Sequence, residues 1–406
     1  MRAALPADAR RRAALLTALA VTLAAFAGQA LTVHANYGGQ WTGLFCVGER
    51  FDPAPLGLRP AHLFRGADGY DGQFYRIVAH DPWLAAGYWK AVDGPELRYR
   101  RILVPLLAWV AAGGRGELVD TAYIAIVLAC LFLGVYFLGL YLVDQGLPPA
   151  AGAVFLLLPG TLISLDRMLP DIALYMLIAA LLAVWRGRLT PWSAFVLALA
   201  PLVRDLGLLV VAAALAHLAA RRRWRDAVLG TLCVLPAAAW FVWLRMAMAQ
   251  TESAPSASFH AGVVPSWALR QPVYGLFMRM AKPAVYPGVA PHFELAAQAL
   301  DLLAYAGMAL ALVLAVVAWR RWSVSLEGWL MAAFVALFPF ASSRRFWEDS
   351  YSYPRAYTPL LALLALEGWR RRQWWWALPL ALVVVRTVWP MGRQALNVVL
   401  WLIADA

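Results

Sequence analysis

The chain has 406 residues, of which 63% are hydrophobic and only 14% charged, with a formal net charge of +12 at pH 7. Soluble domains carry roughly 25% charged residues, so this composition excludes an ordinary water-soluble enzyme. The basic residues sit in short clusters between apolar runs, where they set membrane topology, so the positive charge does not describe a nucleic-acid-binding surface.

Apolar runs long enough to cross a bilayer recur from residue 13 to the end. In lipid only helices and closed barrels satisfy the backbone, and the short alternating segments of a barrel are not present. The expected fold is an all-α polytopic membrane protein, one transmembrane domain over residues 1–406 with about 11–12 transmembrane helices. Arg10, Arg11 and Arg12 precede the first apolar run in the manner of a signal peptide. That run spans about 20 residues and ends in no clear cleavage site, so it reads as a retained helix 1, about 13–34.

The basic clusters Arg10–Arg12, Arg186/Arg188, Arg221–Arg225, Arg320/Arg321 and Arg370–Arg372 can all be placed on the cytoplasmic side. The N-terminus is then cytoplasmic, and residues 35–116 form a first external loop. Within it, 99–113 is too short to span and reads as an interfacial helix with arginines at its start. Helix 2 (about 118–142) returns, and helix 3 (about 149–165) leads out to an external turn ending at Pro170-Asp171. Helix 4 comes back to Arg186. Helices 5 and 6 form a hairpin whose outer tip is Arg204-Asp205. A second external loop covers 249–295, and a third, 342–354, follows helix 9. Arg344 and Arg345 there, like Arg98, Arg100 and Arg101, are basic residues on the outer side that topology leaves unexplained. Cys46, Cys130 and Cys233 have no CxxC spacing and indicate neither a disulfide framework nor a metal site.

Ionisable residues at a membrane edge are costly and mark function by default. The most informative stretch is Gly69-Tyr70-Asp71-Gly72-Gln73-Phe74-Tyr75-Arg76, a carboxylate between two glycines with aromatics on both sides. One reading is a general base, with glycines that let a substrate approach closely. The other is a Gly-Asp-Gly turn with interfacial aromatics. Asp68 is a rival for the post of base. Asp171, just after a proline, is either a helix-start carboxylate or a second catalytic one. Arg204, Arg344, Arg345 and Arg355 are candidates to hold a phosphate, since arginine binds phosphate oxygens bidentately and keeps its proton. Tyr70, Gln73, Tyr75, His80, Arg101 and Glu348 are the remaining substrate-contacting candidates. Asp81 reads as structural.

This arrangement of one helix, a long external loop with an early acidic motif, an external Asp after helix 3 and a basic residue between helices 5 and 6 resembles the GT-C glycosyltransferase superfamily. The segments YDGQFYRIVAHDP, RYRRILVPLLAW and EDSYSYPRAYTPLL also resemble a group of bacterial membrane proteins with a DGQFY motif. Two departures stand out: the acidic motif is a lone Asp71 with Asp68 nearby, where relatives have an adjacent acidic pair, and the hairpin tip is Arg204-Asp205, where many have Lys-Gly. A large soluble C-terminal domain of the oligosaccharyltransferase kind is not expected. The resemblance implies an inverting enzyme of the bacterial inner (plasma) membrane with a periplasmic or extracellular site. It would move a sugar from a polyprenyl-phosphate donor to a lipid, glycan or protein acceptor. Metal is not required in principle, because guanidinium groups can carry the charge; Mg²⁺ or Mn²⁺ on Asp71 and Asp171 stays open. The alternatives are a lipid or polysaccharide-precursor transporter or flippase, against which the lack of an internal repeat argues, and a non-catalytic subunit of an envelope-polysaccharide assembly.

Overall fold

The computed structural model describes residues 7–250, 274–282, 284–286, 290–322, 324–341 and 343–404; the side chains of 7, 320–322, 344 and 345 lie outside this description. Much of the expected second external loop, 249–295, therefore lies outside the described residues.

The chain is built from helices whose ends follow local sequence. Helix α1 (Ala7–Tyr37) stops before Gly38 and Gly39, both with positive φ. The segment that follows folds as short pieces: a two-residue strand β1 (Val47–Gly48) paired in parallel with β2 (Leu63–Phe64), then α2 (Gly72–His80), α3 (Pro95–Arg100) and α4 (Leu103–Ala111). Gly113 and Gly114, again with positive φ, separate α4 from α5 (Gly116–Asp144). Helix α5 is a continuous apolar span with no proline, and it packs against α1 and the later core.

The third apolar segment is not the single helix 149–165 that periodicity suggests. A 3₁₀ stretch, Pro149–Leu157, meets α6 (Pro159–Arg167) at a 61° bend. Pro159 explains the break: it forces Leu158 into an extended conformation (φ −66°, ψ 133°) that no helix can continue through. Helix α7 (Asp171–Val184), α8 (Pro191–Val203) and α9 (Gly207–Ala220) follow, α8 opened by a reciprocal Thr190–Ser193 capping box. Next come α10 (Trp224–Thr231), α11 (Leu235–Gln250), α12 (Tyr274–Ala281), α13 (Pro291–Trp322), α14 (Leu326–Val335) and α15 (Arg344–Glu348). The chain closes with α16 (Ser352–Arg371), α17 (Leu378–Val388) and α18 (Gly392–Ala404).

Among the described residues, five helical stretches are long and apolar enough to cross a membrane, six if the bent pair is one span. The expectation of 11–12 full spans is not met by length, because α7, α8, α9 and α14 have only 10 to 14 residues where a span needs about 20. This is a multi-pass, all-α membrane protein with several long apolar helices.

Helix α5 gives the scale. Asp120 near its start pairs with Arg76 of α2, and Tyr141 near its end hydrogen-bonds Glu327 at the start of α14. At 1.5 Å per residue those groups are about 32 Å apart along the axis, close to a hydrocarbon thickness. The Asp120 end, where residues 35–116 fold, is termed the loop end below.

Candidate functional site

The loop end gathers charged side chains from five separate parts of the chain. Asp71 immediately precedes α2, with helical φ and ψ, and its carboxylate caps no backbone N–H of that helix. It accepts instead from two guanidiniums, Arg98 Nη2 at 2.8 Å and Arg355 Nη2 at 3.0 Å. Its side chain retains 21% exposure. The flanking glycines explain how the carboxylate is held there. Gly69 has φ 74°, and a Cβ on it would lie 2.4 Å from the Gly48 nitrogen; on Gly72 a Cβ would lie 2.0 Å from the Arg167 carbonyl oxygen. They let backbone pack on backbone. Close backbone packing by itself accounts for glycine at both positions.

Arg98, at the end of α3, is the organiser that sequence reasoning left out of the site. Its Nε and Nη2 donate to the two Asp93 oxygens at 2.8 and 3.1 Å, Nη2 also reaches Asp71, and the guanidinium lies 4.8 Å from the centre of the Phe74 ring. The available signal was the trio Arg98, Arg100 and Arg101, which the expected topology left unexplained. Arg101 donates to the Tyr75 hydroxyl at 2.6 Å and lies 3.5 Å from Asp205, which Arg100 also approaches at 3.6 Å. Arg204, at the hairpin tip between α8 and α9, forms an ion pair with Asp171, whose side chain is 1% exposed. Arg355, near the start of α16, joins the halves: beside its bond to Asp71, its Nη1 lies 3.8 Å from Asp171, and its guanidinium sits 5.4 Å from the centre of the Tyr70 ring. Its Nε donates to the Tyr351 carbonyl, and its own carbonyl accepts from the Tyr175 hydroxyl at 2.7 Å.

This setting controls protonation. Burial pushes the Asp71 carboxyl up, but Arg355 and Arg98 outweigh burial and hold it below the usual carboxylate range. Burial likewise raises Tyr75, yet Arg101 and Arg98 bring its phenol below the ordinary tyrosine value. Burial disfavours the charged form of Arg98, and Asp71 and Tyr75 reverse that, so it stays firmly protonated.

The structure sorts the other sequence candidates. Tyr70 lies at the cluster and donates to Asp349 at 2.9 Å. Asp68 does not join it: its side chain is 76% exposed, 3.9 Å from Arg50. Gln73 is buried and tied to the backbone, accepting from the Gly48 N–H and donating to the Asp68 carbonyl, both at 2.9 Å, so it staples the loop and does not face a substrate. His80 is turned to Asp120 at 2.9 Å, where Arg76 binds the same carboxylate through two bonds. Glu348 pairs with Arg279 of α12. Arg344 and Arg345 belong to α15, and their side chains lie outside the described residues. Asp81 accepts from the N–H groups of Ala86 and Tyr88, the structural role expected of it.

Among the described residues, no group of three or more His, Cys, Asp or Glu side chains is placed to hold a metal ion. Asp71 and Asp171, the two carboxylates considered as Mg²⁺ or Mn²⁺ ligands, are both engaged by arginines.

Below the charged cluster lies an apolar cavity of about 200 Å³ among α5, α7, α16 and the turn into α17. Its upper wall includes Tyr175 and Thr358; Ile178, Leu182 and Ala362 line it further down, and Trp369 stands at the far end. Tyr175 follows Asp171 by four residues on α7, and Thr358 follows Arg355 by three on α16. Each is one helical turn below its charged neighbour on the same face. From Thr358 to Trp369 the groove runs about 16 Å along α16.

No family model, curated protein or solved structure gives a significant match to this chain.

Proposed function

We propose that this protein is an inverting membrane glycosyltransferase of the GT-C kind, taking a sugar from a polyprenyl-phosphate donor at the loop end. The observation that carries this reading is the apolar cavity that ends one helical turn below Asp171 and Arg355. A lipid phosphate placed at Arg355, Arg204 and Arg98 would send its first prenyl units past Tyr175 and Thr358 into that cavity. Ligand sites of this type pair an apolar body with a few convergent polar groups.

Asp71 is the base in this scheme, since Asp68 is exposed and away from the cluster. An acceptor hydroxyl loses its proton to Asp71 as its oxygen bonds to the anomeric carbon. The bond from that carbon to the phosphate oxygen breaks, and its electron pair leaves with the lipid phosphate. One displacement inverts the anomeric centre. Preorganised guanidiniums stabilise the charge that gathers on the leaving phosphate. Asp171 acts as the counter-ion that orients Arg204 and Arg355. The donor is a polyprenyl-phosphate sugar, the acceptor a lipid, glycan or protein hydroxyl, and the location a bacterial plasma membrane with the site on its outer face.

The test is transfer from a polyprenyl-phosphate sugar by purified protein. Wild type and Asp68→Asn should release lipid phosphate at similar rates, while Asp71→Asn should lose at least about a hundredfold, the usual contribution of a general base. Equal transfer by folded Asp71→Asn removes the base assignment.

One observation favours a lipid transporter instead. Leu182 lines both the apolar cavity and a small polar pocket at the opposite end, beside Tyr141, Arg186 and Glu327. In the same assay a transporter would move the intact donor between leaflets and release no sugar.

A further inference from the structure

The proposed base is held by two guanidiniums that weaken it as a base. Each Asp71 oxygen accepts from one guanidinium, Arg98 or Arg355, which leaves a lone pair on each oxygen but lowers its basicity, whereas a general base must draw the acceptor's proton. The same two guanidiniums are among the groups best suited to a phosphate. Carboxylate and phosphate oxygens accept from arginine N–H groups in the same planar geometry.

We infer that the Asp71 carboxylate is the resident occupant of an anion site, and that an incoming phosphate ester displaces it from Arg355, so that donor binding itself frees the base. The inference rests on the glycosyltransferase reading and adds to it an order of events. Three features support an exchange over a rigid bridge. Arg355 is shared by two carboxylates on separate elements, Asp71 and Asp171, so losing one leaves it partnered. Its Nη1 is buried without a hydrogen-bond partner among the described residues, 3.8 Å from Asp171, and so keeps a donor in reserve. Arg98 is held through two bonds to Asp93, so it stays in place whether or not Asp71 remains on it.

The charges balance through the cycle. A prenyl phosphate sugar is a diester with one negative charge, matching the one charge of the carboxylate it displaces. After transfer the proton is on Asp71, now neutral, and the lipid phosphate is a monoester with a second ionisable oxygen. The arginines follow the charge to the product. When Asp71 gives up its proton to water it reclaims Arg355, which loosens the product and resets the site.

The experiment measures binding of farnesyl monophosphate, with farnesol as the uncharged control, to detergent-purified wild type, Asp71→Asn and Arg355→Gln. Asp71→Asn should bind farnesyl phosphate at least about tenfold tighter than wild type, because a charge-assisted competitor has been removed, and Arg355→Gln should lose binding. Thermal unfolding gives a second readout: formate should raise the Tm of Asp71→Ala, by filling the vacated position, and leave wild type unmoved. Equal or weaker phosphate binding by Asp71→Asn, with binding still lost in Arg355→Gln, or no effect of formate on Asp71→Ala, overturns the exchange and leaves the phosphate site standing. Farnesol binding as tightly as farnesyl phosphate to wild type overturns both.

Discussion

Ala362 offers a perturbation in which stability and activity should move in opposite directions. It lines the apolar cavity on α16, one turn beyond Thr358. Ala362→Leu adds roughly 80 Å³ of side chain, and filling a void is worth about 24 cal/mol per Å³, so the folded protein should gain about 2 kcal/mol. The cavity is about 200 Å³, so the leucine fits with room left but takes space that a prenyl chain would use. Displaced chain carbons return to lipid and not to water, so the penalty falls on geometry. A phosphate pushed an ångström from its arginines costs about a hundredfold in rate. The assay is a thermal melt in detergent beside kcat/KM for a long-chain donor and for one with two isoprene units. The melt should rise, kcat/KM for the long donor should fall, and the short donor should be much less affected. A stabilised variant that uses the long donor as well as wild type does would show that the cavity is a packing void unrelated to the donor.

Three further outcomes follow from the same geometry. Gly72→Ala places a Cβ 2.0 Å from the Arg167 carbonyl oxygen, so α2 must move; the loss of stability should exceed the ~1–3 kcal/mol of ordinary overpacking, seen as a lower Tm, and transfer should fall with it because Asp71 moves too. Gln73→Ala removes one buried and one partly buried bond to the backbone and should cost about 1–3 kcal/mol of stability with the donor KM unchanged; a raised KM at full stability would restore Gln73 to the substrate. Asp71 has a folded pKa below its unfolded value, so its stabilisation is present above the unfolded value near 4 and is lost as pH falls. The Tm gap between wild type and Asp71→Asn should be constant from about pH 6 to 8 and should narrow only below about pH 4; a gap that already closes at pH 6 would contradict the double arginine clamp.

The long apolar elements were legible because their signal is local. The expected helix 1, about 13–34, is α1 (Ala7–Tyr37), and the expected helix 2, about 118–142, is α5 (Gly116–Asp144). The Arg204 tip was legible for the same reason, a charged pair between two apolar runs. The third segment was misjudged because apolar periodicity carries across Pro159 while the backbone does not. Within the site, Asp71, Tyr70, Arg101, Arg204, Asp171 and Arg355 do converge, from elements as much as 284 residues apart. Which group pairs with which is a property of packing, and no spacing rule reveals it. Gln73 and His80 show the converse. Both lie on the motif-bearing helix, but a helix presents several faces, and theirs point to the loop backbone and to Asp120. Arg98 lay in view as one of five arginines that topology could not explain. Its link to Asp71 needed the fold of residues 35–116 to bring α3 against the start of α2.

The central claim is that a lipid phosphate binds at the loop end with its chain in the apolar cavity. A cryo-electron microscopy map of the protein with a polyprenyl phosphate tests it most directly. The account predicts phosphate density within hydrogen-bonding distance of Arg355, with the Asp71 carboxylate withdrawn from that guanidinium and the first prenyl units passing between Tyr175 and Thr358. Phosphate density at the opposite end, beside Arg186 and Glu327, with Asp71 still clamped by Arg98 and Arg355, would contradict it.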